Sequence, residues 1–274
     1  MYPMNDLKVH SLFYYPVKSC RGIALQTAAL DTFGIEGDRH FMITDEKGRF
    51  MTQRRHPGMS LICPEVSARH LTLRAKGMPD ISIDLRVNGT ATEVLVWKDY
   101  CQAMDMGDGV ANWLSRFLGR ACRLVQKAPQ YVRRVENEYN PDGRAQVSFA
   151  DGFPLLLISE ASLQALNERL PSPMPMDRFR PNIVLSGGQP FQEDRWQTIS
   201  IGSVRLTVAK PCERCVVTTV NQQNAQTGKE PLHTLSTFRS NQRHKVEFGQ
   251  NLIHQWPGVL NKGDRVKIKQ PEFP

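Results

Sequence analysis

Arg39-His40-Phe41-Met42-Ile43-Thr44, Asp45-Glu46-Lys47-Gly48 and Arg49-Phe50-Met51-Thr52-Gln53 follow one another without a break. The outer two pieces have the aromatic and β-branched content of strands, and the middle one is a four-residue turn ending in glycine. Together they predict a β-hairpin. Working outward, strand signals recur at residues 8–15, 71–73, 81–85 and 92–97, with the turn pairs Lys76-Gly77 and Asn88-Gly89 between them. Many short strands with regular turns point to a barrel or a sandwich. The period then changes. Val110, Trp113, Leu114 and Phe117 recur at helical spacing over residues 108–118, and Gly119 is placed to cap that helix. A second helix is predicted over residues 159–170, with Leu163, Leu166 and Leu170 as its apolar stripe. Strands resume at 182–185, 198–201, 204–208, 216–220 and 266–268. The polar stretch 126–146, with Arg133-Arg134 and Asn140-Pro141-Asp142-Gly143, reads as a long mobile loop near a domain junction. The class is therefore mainly β with some α (α+β).

The chain has 274 residues, one large domain or two ordinary ones at roughly 100–200 residues each. Its 40% hydrophobic and 23% charged residues exclude a disordered chain. Lys+Arg is 35 against 27 Asp+Glu, a net charge of +8 that calls for an anionic ligand or partner. Charge alone does not choose among nucleic acid, a membrane surface and a phosphorylated cofactor. The best apolar run, residues 154–158, falls far short of the ~20 residues that span a bilayer. Met1-Tyr2-Pro3-Met4-Asn5-Asp6 has no apolar core of a secretory signal. Six cysteines form no disulfide framework. A soluble protein of the reducing cytoplasm, with no membrane partner, is expected.

Cys212-Glu213-Arg214-Cys215 is the single C-x-x-C. Zinc wants four ligands, and Cys20, Cys63, Cys101 and Cys122 are scattered while His233 has no second histidine at the right spacing. A thioredoxin-like dithiol wants a helix next, but Val216-Val217-Thr218-Thr219-Val220 prefers strand. A thiolate beside Arg214, able to bind a soft metal, is the third reading. Two buried apolar cysteines satisfy the spacing equally well. Lys18-Ser19-Cys20-Arg21-Gly22 sets a cation, a hydroxyl and backbone N–H groups in one turn, a candidate phosphate grip without the glycines of a P-loop. Basic residues recur in Asp38-Arg39-His40, Arg54-Arg55-His56 and Arg178-Phe179-Arg180-Pro181-Asn182, the last pair sharing one face if the chain is extended. They are dispersed among strands, with no helix-turn-helix or RNA-binding aromatic pattern, so an anionic cofactor ranks above nucleic acid. Asp151-Gly152-Phe153-Pro154 could present backbone N–H groups and one carboxylate to a ligand. His40, His56 and His233 are candidate acids, although lone histidines are more often structural.

Taken in order, these pieces resemble the MOSC proteins (molybdenum cofactor sulfurase C-terminal domain), nearest to the YcbX and mitochondrial amidoxime-reducing component group. The matching stretches are Tyr15 through Gly22, Asp38-Arg39, Ser148 through Pro154, Ser159 through Leu163 and Phe179 through Asn182. They continue with Glu193 through Trp196, Pro211 through Cys215, Thr218 through Val220 and Phe248 through Ile253. The resemblance spans about residues 7–268. It implies an N-terminal MOSC β-barrel domain (1–105) packed on a MOSC domain (106–274), with a molybdenum cofactor (Mo-molybdopterin) between them. It further implies Cys215 as the protein ligand to molybdenum, and Cys212 as a supporting residue. By the same carry-over, Lys18, Ser19, Arg39 and Arg180 would contact the pterin or its phosphate, and Asp151, Gly152, Arg214 and Asn251 would line the pocket. The implied activity is reduction of hydroxylamines, amidoximes or N-hydroxylated bases, with Asp151 or a water as proton donor. Longer relatives add a ferredoxin domain whose C-x4-C-x2-C…C set is not found before Pro274. No iron–sulfur cluster is therefore expected in this chain, and electrons would come from a separate flavin or iron–sulfur protein. The alternative is a carrier of cofactor or sulfur without substrate turnover.

Overall fold

A computed structural model describes residues 7–86, 89–255 and 257–269. The residues read for a signal, Asn88 of one expected turn and the carboxyl-terminal pentapeptide lie outside the described residues. The β-rich class holds: the strands form four sheets, and helices are few.

Two sheets and one helix build the first half. Phe41–Thr44, Arg123–Lys127, Asp99–Asp105 and Thr90–Val96 pair antiparallel in that order. Cys63–Val66, His70–Arg74 and Ile81–Asp84 form a smaller meander. Helix α1 (Asp108–Leu118) lies where its apolar spacing places it, burying Val110, Trp113 and Leu114. Gly119 ends it in the left-handed conformation (φ 68°), its N–H bonding to Ser115 O. Val110, Leu114 and Leu124 share a core with Ile43, Leu71 and Leu73, so this unit continues past residue 105.

The second half is built on eight strands in the order Val266–Lys269, Thr198–Ile201, Val204–Glu213, Glu247–His254, Leu155–Ser159, Ile183–Ser186, Lys8–Tyr14 and Ile23–Leu25. Only Leu155–Ser159 and Ile183–Ser186 are parallel neighbours. A parallel pair needs a crossover, and α2 (Glu160–Asn167) supplies it, its N-terminus capped by Ser159 Oγ accepting from Ser162 N. The amino-terminal strand Lys8–Tyr14 thus lies inside the sheet of the second half. Thr27–Asp31 likewise pairs with Gly258–Asn261. Among the described residues no continuous ladder closes a barrel.

Three expectations are corrected. Residues 49–53 are not a full second arm of the hairpin. Arg49 and Phe50 make only isolated bridges, because Phe50 N bonds Leu95 O and the chain then turns away, Gln53 donating to Ser19 O at 2.7 Å. The β-branched run 216–220 is not strand: Val216–Thr219 is a single 3-10 turn. Thr218 and Thr219 hydroxyls donate to Cys215 O and Val216 O, drawing the backbone into a tight turn. Nor is the Arg178–Arg180 segment extended. Met176–Arg178 is a 3-10 turn, and Arg180 itself is left-handed (φ 56°). Segment 126–146 is irregular after Lys127, yet Tyr131, Arg133, Val135 and Asn140 are buried.

Candidate functional site

The two halves meet at a cleft of ≈ 160 Å³. Lys18, Ser19, Arg39, Asp151, Gly152, Arg180, Arg214, Cys215 and Asn251 all line it. Residues up to 233 positions apart are thereby gathered by the interlocked sheets rather than by any local motif. His40, His56 and His233 are absent from its lining. His40 is instead held against Gln126 and Phe41, and burial, aided by Lys127, lowers its pKa to about 4.

The interior strand Lys8–Tyr14 hands the chain to Tyr15, which organises one wall. Its ring has the Arg39 guanidinium at 4.3 Å and the Arg180 guanidinium at 4.2 Å. Cation–π contact of this kind holds two like charges beside one neutral face. Burial keeps the phenol neutral, its pKa pushed up to about 12 although both arginines pull it down. Arg39 Nη1 pairs with the buried Asp38 carboxylate and also donates to Asn182 Oδ1 at 3.2 Å. Asp38 Oδ1 in turn accepts Tyr15 N at 2.7 Å. Arg180 Nη1 donates to Cys20 O at 2.7 Å. Gly22 is needed beneath this wall, since a Cβ there would stand 2.4 Å from the Tyr15 ring.

The next wall joins Lys18 to the loop around Asp151. Lys18 is 5% exposed and donates to Phe149 O at 2.7 Å and Asp151 Oδ1 at 2.6 Å. Partial desolvation works against ionisation of Asp151, whose side chain is still 68% exposed, but the Lys18 ammonium, with Arg54 and the Trp97 N–H, holds its carboxyl well below the usual carboxylate range. Asp151 is therefore an ionised partner of Lys18 at neutral pH, which argues against its expected role as proton donor. Arg133, read from sequence as part of a mobile loop, fastens this loop: it donates to Ala150 O at 2.6 Å and Asp151 O at 2.9 Å while pairing with Asp99 at 2.7 Å. A Cβ on Gly152 would meet nothing within 4 Å, so that residue opens onto free space.

The third wall is the C-x-x-C segment at the end of Val204–Glu213. Arg214 donates to Phe179 O at 2.6 Å and to Cys212 Sγ at 3.0 Å, so the guanidinium sits beside the first cysteine and not the second. Cys215 begins the 3-10 turn and keeps a partly exposed side chain. All six cysteines are free thiols. Asn251 reaches Pro211 O at 3.4 Å.

Four residues of the cleft, Ser19 (φ 66°), Arg39 (φ 49°), Trp97 (φ 59°) and Arg180 (φ 56°), adopt backbone that favours glycine. Such strain gathers at ligand clamps. Among the described residues Arg214 Nε is buried without a partner, a cost that an incoming anion would remove. Lys18, Arg39, Arg54, Arg180 and Arg214 line the cleft together with the carboxylates Asp151 and Glu213, and Asp38 stands behind Arg39. The donor set thus suits a multiply anionic ligand, with Cys215 as one soft ligand for a metal. Among the described residues no three of His, Cys, Asp or Glu gather, so a metal here would take its remaining ligands from that anionic group. Sequence reasoning places Arg54 only among the dispersed basic residues and Asn182 only within the Phe179–Asn182 stretch, with no role in the cleft for either, and it misses Trp97 as a cleft residue and Arg133 as a support.

The profile of the MOSC N-terminal beta barrel domain matches residues 6–121, and that of the MOSC domain matches 144–267. Mitochondrial amidoxime-reducing component 1 of Xenopus laevis is 33% identical over 94% of this chain and 81% of that protein. The Homo sapiens protein of the same description is 31% identical over 95% and 82%. Molybdenum cofactor sulfurase of Bos taurus is 31% identical over 92% of this chain, which spans 31% of that longer protein.

Proposed function

The chain belongs to the MOSC-domain family, and on that premise we propose that it is a molybdenum-cofactor-dependent reductase of N-hydroxylated compounds served by a separate electron-donor protein. The observation that carries this reading is the convergence of the two partly exposed thiols of the C-x-x-C, Cys212 and Cys215, with the cations Lys18, Arg39, Arg180 and Arg214 on a single cleft. When bound, a molybdenum–pterin group would supply the two-electron chemistry at the N–O bond. Overall the N–O bond breaks, two electrons arrive from the donor, one proton goes to nitrogen and one to the departing hydroxyl, and water leaves.

The chain's own residues bind and orient. Cys215 offers a thiolate to the metal. Arg39, Arg180 and Ser19 form the phosphate or pterin wall, pre-shaped by the Tyr15 ring and by their own constrained backbone. Arg214 offers the unpartnered Nε to an anionic oxygen. Lys18 and Asp151 neutralise each other and hold the loop that Gly152 opens. With Asp151 ionised, the protons are assigned to solvent entering through the cleft mouth. A reducing, cytoplasmic setting fits the six free thiols.

A carrier of cofactor or sulfur is the second reading, favoured by the likeness to molybdenum cofactor sulfurase. The two part on turnover. Molybdenum-loaded protein given reduced methyl viologen should convert hydroxylamine to ammonia, and Cys215→Ser should abolish it. A loaded protein that reduces neither hydroxylamine nor an amidoxime would leave the carrier reading.

A further inference from the structure

The rim of the cleft carries a feature that cofactor binding does not require. Strands Thr90–Val96 and Asp99–Asp105 are joined with Val96 opposite Asp99, so Trp97-Lys98 is a two-residue hairpin loop. Such loops favour asparagine or glycine, because their backbone enters the left-handed region. Trp97 has φ 59° there, an outlying conformation for a bulky side chain. Local turn chemistry therefore does not account for tryptophan.

Its surroundings do. The indole lines the cleft and is 41% exposed. Its Nε1–H donates to Asp151 Oδ1 at 3.2 Å, which fixes the ring's orientation beside the Lys18–Asp151 pair. The Arg54 guanidinium lies over it at 4.6 Å and Phe50 braces it at 4.9 Å. The strained turn thus presents an indole–guanidinium layer at the cleft, and the outer plane of the guanidinium and the exposed part of the indole offer π contact.

We propose that Trp97 and Arg54 form a stacking platform for the body of the substrate. The cleft would then select flat, conjugated N-hydroxylated compounds, such as aromatic amidoximes or N-hydroxylated bases, over small aliphatic ones. This rests on the reductase reading above and narrows its substrate class. Both are specificity residues that touch the substrate away from the N–O bond.

The test compares benzamidoxime with hydroxylamine on molybdenum-loaded protein driven by reduced methyl viologen, in the parent, Trp97→Leu, Trp97→Phe and Arg54→Gln. Loss of an aromatic stacking partner should lower the benzamidoxime-to-hydroxylamine ratio of kcat/KM about tenfold in Trp97→Leu, through KM. Trp97→Phe, which keeps a ring, should retain most of the ratio, and Arg54→Gln should fall between. Binding of benzamidoxime, a neutral ligand, followed by ligand-observed NMR on protein without cofactor, should weaken in Trp97→Leu and survive in Trp97→Phe. Unchanged ratios and unchanged benzamidoxime binding in Trp97→Leu would overturn the platform while leaving the reductase reading in place. Loaded parent protein that turns over neither substrate would overturn both.

Discussion

Individual side chains in this cleft are set by burial and by their neighbours more than by their intrinsic chemistry. The thiols show it. Burial pushes the Cys20 pKa up to about 12 and raises those of Cys101 and Cys122, whereas Cys63, Cys212 and Cys215 are partly exposed. Iodoacetamide at pH 8 should therefore label the latter three in the native protein and spare the former, as read by peptide mass spectrometry. Asp151 gives a second expectation. Its carboxyl stays ionised through the neutral range, so the pH–rate profile between pH 5 and 8 should keep its shape in Asp151→Asn. Disappearance of a limb would make Asp151 the donor after all. His40 gives a third. Its folded pKa of about 4 lies below the ordinary 6.5, so the unfolded chain takes up the proton first. Its contribution to stability is full above pH 6.5 and is lost as the pH falls towards 4. Urea unfolding at pH 7.5 and pH 5 should show a smaller loss in His40→Gln than in the parent.

Among the elements, those fixed by local rules were legible in the sequence. Helix α1 has both its ends where the apolar spacing and Gly119 put them. Thr198–Ile201 coincides with its expectation. Where tertiary bonds decide, the reading failed. The run 216–220 has strand propensity, but its threonine hydroxyls bend it into a turn that begins at Cys215. Glu247–His254 was not read as a strand because Gly249 and Gln250 interrupt its pattern, yet it lies at the centre of the largest sheet. The cleft residues were found through ordered resemblance to a family, since no spacing links Lys18 to Asn251. Trp97 offered no signal at all, being an ordinary strand end until its backbone is known. Gly22 connects element to site: Gly22→Ala would drive a Cβ into the Tyr15 ring. Overpacking of this kind costs about 1–3 kcal/mol. We expect a lower midpoint in urea, together with weaker retention of the cofactor, because the ring aligns Arg39 and Arg180.

For the molecule as a whole, the two halves are woven together rather than joined by a linker. Lys8–Tyr14 is an interior strand of the second half's sheet, and Gly258–Asn261 completes a sheet begun by Thr27–Asp31. Unfolding should therefore be a single transition, with fluorescence and circular dichroism coincident. Expressed alone, residues 1–105 or 106–274 should not fold. The cleft sits where the halves meet, so its cations are held in place by the same weave. The decisive measurement is molybdenum and pterin content in the parent and in Cys215→Ser, both made in a host that synthesises the cofactor. We predict near-stoichiometric metal and pterin in the parent and loss of molybdenum in the variant. No molybdenum in the folded parent, while the host's other molybdenum enzymes are active, would contradict the assignment of this cleft.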